Sequence, residues 1–125
     1  MKTKLVIYDL DGVLVEAKNI HFDALNEALG NEYEISWKEH LSTYDGLKTT
    51  QKLQMLSDKK GLPIESHTLI WETKQQITLQ KLKKLKPNKT LQSLMSSLVD
   101  DGYKIAVCSN SIRKTVLTVL SKLGI

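Results

Sequence analysis

Two carboxylates, Asp9 and Asp11, stand two residues apart at the end of the apolar run Leu5-Val6-Ile7-Tyr8, with Gly12 directly behind them. A carboxylate at a strand tip can attack phosphorus and form an acyl phosphate. A second carboxylate, held on the turn that follows, can protonate the leaving group and then activate water. A hard Mg²⁺ ion bridging a carboxylate and phosphate oxygens would neutralise charge that otherwise repels the nucleophile. Near the other end of the chain, Ser109 and Asn110 close a second apolar run, Ile105-Ala106-Val107-Cys108. A serine hydroxyl and the backbone amides of a following helix N-terminus can hold a phosphoryl group from the opposite side. Asp-x-Asp-Gly also opens calcium loops. Here, however, the glycine comes fourth rather than sixth, no closing glutamate follows, and an apolar strand precedes.

The elements that must position these residues follow from hydrophobic period. The run ending at Tyr8 does not alternate, which predicts a strand buried on both faces, as in a parallel sheet. Asp11-Gly12 marks a tight turn. Ile20, Ala24, Leu25, Ala28 and Leu29 form one stripe and predict a helix over 20–29 that stops at Gly30. Residues 31–85 read as wholly helical, broken at Gly46 and at Gly61-Leu62-Pro63. Leu53 and Leu56 mark a short helix; Leu69, Ile70, Thr73 and Ile77 mark the face of a longer one. Pro87-Asn88 offers an N-cap, and Leu91, Leu94, Met95 and Leu98 make the next stripe. A second buried strand over 105–108 carries Cys108 as a small core residue. Val116, Leu117, Leu120 and Leu123 form a last helix. Two buried strands separated by crossover helices lie parallel, which places the chain in the α/β class. Segments 1–15 and 87–125 then make a partial α/β core, and 16–86 a helical cap. Ligands of open α/β sheets bind outside the carboxyl ends of the strands, where the polar residues fall.

Composition narrows the partners. The chain has 125 residues, a net charge of +4, one cysteine and 41% hydrophobic residues, which suits one globular domain without a disulfide framework or a cysteine-rich zinc site. No apolar run approaches a membrane span of about 18 residues. The first residues do not read as a signal peptide, so the expected location is the cytoplasm. The lysine run over 81–86, with leucines at 79, 82 and 85, reads as the wet face of a helix rather than a nucleic-acid patch: no aromatic interleaves, and Arg113 is the lone arginine. His40 and His67 lack partners at ligand spacing and are expected at the surface; Trp37 and Trp71 are expected as anchors of the cap core.

At this point the residues resemble a known family. Residues 5–14, LVIYDLDGVL, resemble the first motif of the haloacid dehalogenase-like superfamily, and Val107-Cys108-Ser109-Asn110-Ser111 resembles its second. The helical insert between them matches the subfamily with a cap at that place, which contains β-phosphoglucomutase-like and phosphoglycolate phosphatase-like members. The resemblance implies a Rossmannoid parallel-sheet core with an inserted helical cap. It implies Asp9 as nucleophile and Mg²⁺ ligand, and Asp11 as general acid/base that also faces the metal. Ser109, Asn110 and Gly12 then serve the phosphoryl group of a small phosphorylated metabolite. A second aspartate marks phosphatases and phosphomutases rather than dehalogenases. His21 falls where such members often carry a histidine near substrate. Residues 44–53 resemble the specificity loop of the cap, with Thr49 where mutase-like members often have an arginine, and Lys48 beside it as a substitute. The implied activity is a Mg²⁺-dependent phosphatase, with a sugar-phosphate mutase and a non-catalytic assembly module as alternatives. Two further family motifs, a lysine and one or two acidic residues, have no counterpart before Ile125. The expectation is therefore a truncated, weak or inactive catalyst whose uncovered sheet edge favours self-association.

Overall fold

The computed structural model describes residues 4–125; residues 1–3 of the expected core segment 1–15 lie outside the described residues. The elements run β1 (Lys4–Asp9), α1 (Lys18–Leu29), a 3₁₀ turn (Asn31–Tyr33), α2 (Trp37–Glu39) continuing as a π-helical turn (His40–Tyr44), α3 (Thr49–Lys60), a second 3₁₀ turn (Ile64–Ser66), α4 (His67–Leu82), α5 (Lys89–Asp100), β2 (Tyr103–Cys108) and α6 (Arg113–Leu123). They divide into two compact units: a helical unit over Lys18–Lys81, and an α/β unit made of the chain up to Ala17 and from Leu82 onward. The fold is α/β, with a small parallel sheet and six helices.

In the α/β unit, β1 and β2 pair in parallel from Lys4↔Tyr103 to Asp9↔Cys108. Successive side chains on a strand point to opposite faces. Val6, Tyr8, Ile105 and Val107 are half-buried on one face, while Leu5 (56% exposed), Ile7 (62%), Ala106 and Cys108 face outward. The expectation of burial on both faces therefore fails, and Cys108 is not a core residue. The sequence pattern is that of a strand between two helix layers, but among the described residues only one face is covered. Asn88 caps α5 as expected, its Oδ1 accepting from the Leu91 N–H at 3.0 Å. Yet no residue of α5 is fully buried, and Leu94 of the expected stripe is 44% exposed. In α6 the buried residues are Thr115, Val119 and Leu123. The stripe is rotated from the expected one, leaving Leu117 half exposed.

The helical unit is closed. Leu25, Leu29, Ile35, Tyr44, Leu53, Leu56, Leu62 and Ile70 form one buried cluster, with Trp71 packed against it. Its connections are tied by polar groups. The Asn26 amide donates to the Ile35 carbonyl at 2.9 Å and accepts from the Ile35 N–H at 2.8 Å. Ser36 and Glu39 form a reciprocal capping box at the start of α2. Gly61, at φ +73°, ends α3 in the left-handed conformation that its lack of Cβ permits.

Four expectations need correction here. His40 is buried at 2% exposure, stacked on Trp37 with ring centroids 5.2 Å apart and tilted against Phe22 at 5.3 Å. Trp37 itself is 40% exposed. His67 is tied to Ser57, Nε2 to Oγ at 2.6 Å. The Ser57 hydroxyl lies 2.7 Å from the Leu62 carbonyl, which can only accept, so the hydroxyl donates there and His67 Nε2–H donates to Ser57. The pair is a strut across the α3–α4 turn and not a primed nucleophile. Finally, α4 ends at Leu82, so Lys83, Lys84 and Lys86 lie on an exposed connection beyond the helix. Lys81, the last-turn lysine, pairs with Glu27 at 2.9 Å.

Candidate active site

The tip of β1 carries Asp9, exposed, with its Oδ1 accepting from the Leu10 N–H at 2.8 Å. The chain then folds back sharply. The Leu10 carbonyl accepts from the backbone N–H groups of Val13 (3.3 Å), Leu14 (2.9 Å) and Val15 (3.2 Å), while the Gly12 N–H donates to the Val15 carbonyl at 2.7 Å. Gly12 sits at φ +79°, where a side chain would be strained. Leu10, Leu14 and Val15 are buried and anchor this loop. Apolar anchors alternating with polar loop positions thus hold Asp9 and Asp11 on a rigid turn.

The end of β2 supplies the other half. Asp9 is in register with Cys108, so Ser109 and Asn110 leave the sheet beside it. The Ser109 hydroxyl accepts from the Ser111 N–H at 3.0 Å. Ser111 in turn donates through Oγ to Asp11 Oδ2 at 3.3 Å, joining the two loops. Within this unit the structure brings Asp9, Asp11, Gly12, Ser109 and Asn110 to one end of the two strands. Ser111 was not among the expected site residues. Its only signal was a third polar position in Ser-Asn-Ser.

His21, Lys48 and Thr49 belong to the helical unit. His21 is half-buried on α1, and its Nδ1 lies 3.2 Å from Lys74 Nζ. Lys48 is exposed just before α3, its N–H donating to Gln51 Oε1 at 3.1 Å. Thr49 is buried in the first turn of α3. Two residues absent from the sequence expectation stand out in this unit: Lys52 and Lys74 are buried at 5% and 4% exposure.

A Mg²⁺ ion needs hard oxygen donors and keeps several waters, so one or two carboxylates beside a phosphate suffice. Asp9 and Asp11 fit that requirement chemically. Among the described residues no group of three or more acidic, histidine or cysteine side chains forms a fuller metal cage.

Among curated proteins none matches the chain. Its fold is similar to that in a crystal structure of β-phosphoglucomutase from Clostridium difficile, with a TM-score of 0.79 and 23% identity. That match covers all of this chain and 58% of the other, so the chain spans less than two thirds of that protein's length. A family model for haloacid dehalogenase-like hydrolases matches residues 6–125. With that match running from the first strand to the last residue, the chain belongs to the haloacid dehalogenase-like hydrolases.

Proposed function

We propose that the protein is a Mg²⁺-dependent phosphatase acting on a small phosphorylated metabolite. The observation that carries this reading is the pair of strand-end loops: an exposed Asp9 carboxylate at the tip of β1, with Asp11 on the following turn bonded to Ser111. Asp9 attacks the phosphorus, the bond to the leaving oxygen breaks, and Asp11 delivers the proton that oxygen needs. Asp11 then takes a proton from water, whose oxygen attacks the aspartyl phosphate. Inorganic phosphate leaves and Asp9 is regenerated. The hydroxyl of Ser111 fixes the Asp11 carboxyl. Ser109, Asn110 and the Gly12 backbone hold the phosphoryl oxygens, aided by the free amides at the start of α6. A Mg²⁺ ion held by Asp9 and Asp11 would neutralise charge between nucleophile and phosphate.

Hydrolysis of p-nitrophenyl phosphate with and without Mg²⁺ tests this. We expect weak, metal-dependent turnover that Asp9→Asn abolishes. Turnover that survives the substitution would overturn the reading. We read the cytoplasm as its compartment, in keeping with a lone cysteine; among the described residues no helix is long and apolar enough to cross a membrane. We also read the uncovered edge of the two-stranded sheet, with the exposed Leu5 and Ile7 on β1, as a surface for self-association.

A further inference from the structure

The helical unit holds a cavity of about 220 Å³ lined by Thr50 and Leu53 of α3 and by His67, Thr68 and Trp71 of α4. Helical spacing puts these residues together: Thr50 and Leu53 are three apart, His67 and Trp71 four apart. Leu53 belongs to the buried cluster and Trp71 packs against it, so the cavity has apolar walls rooted in the core. Thr50 and Thr68 are its exposed members. No lysine, arginine or carboxylate lines it. A charged ligand would lose water there without gaining a counter-charge, so the lining selects a neutral one.

His67 gives the cavity a direction. The Ser57 hydroxyl donates to the Leu62 carbonyl, so His67 Nε2 carries the ring proton and donates to Ser57. Nδ1 of that neutral ring holds a lone pair, which can accept from a ligand and has no hydrogen to offer one. Size and stacking narrow the choice further. A cavity of about 150 Å³ is enough for benzene, so this one suits a single ring with one or two small substituents. An aromatic ring gains more than buried area beside Trp71, through offset or edge-on pairing.

We propose that this cavity binds a neutral, single-ring aromatic bearing a hydroxyl group, a phenol, whose ring meets Leu53 and Trp71 and whose O–H donates to His67 Nδ1. None of the five lining residues belongs to the strand-end loops, and the proposal does not rest on the phosphatase reading.

The test compares p-cresol with p-xylene, which has the same shape and a methyl group in place of the hydroxyl. Each is titrated into the ¹⁵N-labelled 125-residue chain, and the two indole N–H resonances are followed by NMR. Trp71 reports on the cavity. Trp37, packed on Phe22 and His40, is the internal control. We expect p-cresol to shift Trp71 saturably, to leave Trp37 in place, and to bind roughly fivefold more tightly than p-xylene, as one added hydrogen bond warrants. His67→Phe keeps a ring and removes the acceptor; p-cresol should then bind no better than p-xylene. Thr68→Phe fills the cavity from an exposed position and should abolish the Trp71 shift with both probes. The absence of a saturable Trp71 shift, or equal shifts at both tryptophans, overturns the site. Equal affinity for the two probes in the wild type overturns the phenol assignment, as does a preference that survives His67→Phe. Should His67→Phe fail to fold, Thr68→Phe decides: binding that persists in it overturns the proposal, and binding lost with the fold intact by circular dichroism supports it.

Discussion

The helical unit and the α/β unit are built from similar apolar material and use it differently. In the helical unit, leucines and isoleucines from three helices and their connections close on one another, and Tyr44, Leu53 and Leu56 are almost wholly removed from solvent. In the α/β unit, the same residue types stand on a two-stranded sheet with one covered face, so Leu5 and Ile7 remain more than half exposed. Apolar character alone does not make a core; a second layer must meet it. The exposed face is nonetheless compatible with an ordered site, because the loops bearing Asp9 and Asp11 are anchored by Leu10, Leu14 and Val15 rather than by the outer face of the sheet.

The sharpest way to break this contrast is a matched pair of truncations. Leu56→Ala removes a side chain with no exposure and should cost about 2–5 kcal/mol. Ile7→Ala, on the uncovered face, should change stability by only about 0.5 kcal/mol. Urea denaturation followed by circular dichroism measures both, and comparable losses would show that the sheet face is covered in solution. The next effect is on association. If Leu5 and Ile7 are the contact, the sedimentation coefficient should rise with protein concentration, and Ile7→Lys should leave a monomer throughout. Concentration-independent sedimentation of the wild type would remove self-association from the reading.

The smallest expected effect concerns His40. Its pKa in the folded chain lies below the ordinary value of 6.5, first because of burial and then because of Lys52. The unfolded chain therefore binds the proton more readily. The neutral imidazole contributes fully above pH 6.5, and stability declines as pH falls below that value. The urea midpoint should drop between pH 7.5 and 5.5, and His40→Phe should flatten that slope. A variant with the wild-type slope would assign the pH response elsewhere.

Much of this was legible beforehand because the signals were local. The apolar run before Asp9, the turn at Gly12 and the cap at Asn88 depend on near neighbours, and the strand-loop motifs carried the family. What could not be read was which side of each element meets another. Leu117 looked like a core residue by spacing, but α6 turns Thr115, Val119 and Leu123 inward; Leu94 stays exposed while Leu91, Met95 and Leu98 of the same stripe are half-buried. His40 looked like a surface histidine because Phe22, one of the two rings that enclose it, is distant in sequence, although Trp37 stands one helical turn before it. Lys52 and Lys74 were visible as lysines on apolar stripes, a conflict between side chain and period that sequence reading passed over. Ser111 was beyond reach because its partner, Asp11, lies at the far end of the chain.

That last separation bears on the order of assembly. The helical unit is one uninterrupted segment, whereas β1 must wait for β2, whose partners are almost the whole chain away. Contacts of such high sequence separation carry a loop-closure cost and form slowly. During synthesis the helical unit emerges complete while β1 still lacks its neighbour. Its early folding shortens the effective loop and brings the two strand ends within reach. The insertion that divides the α/β unit in sequence, once folded, thus costs its closure less than its length alone would.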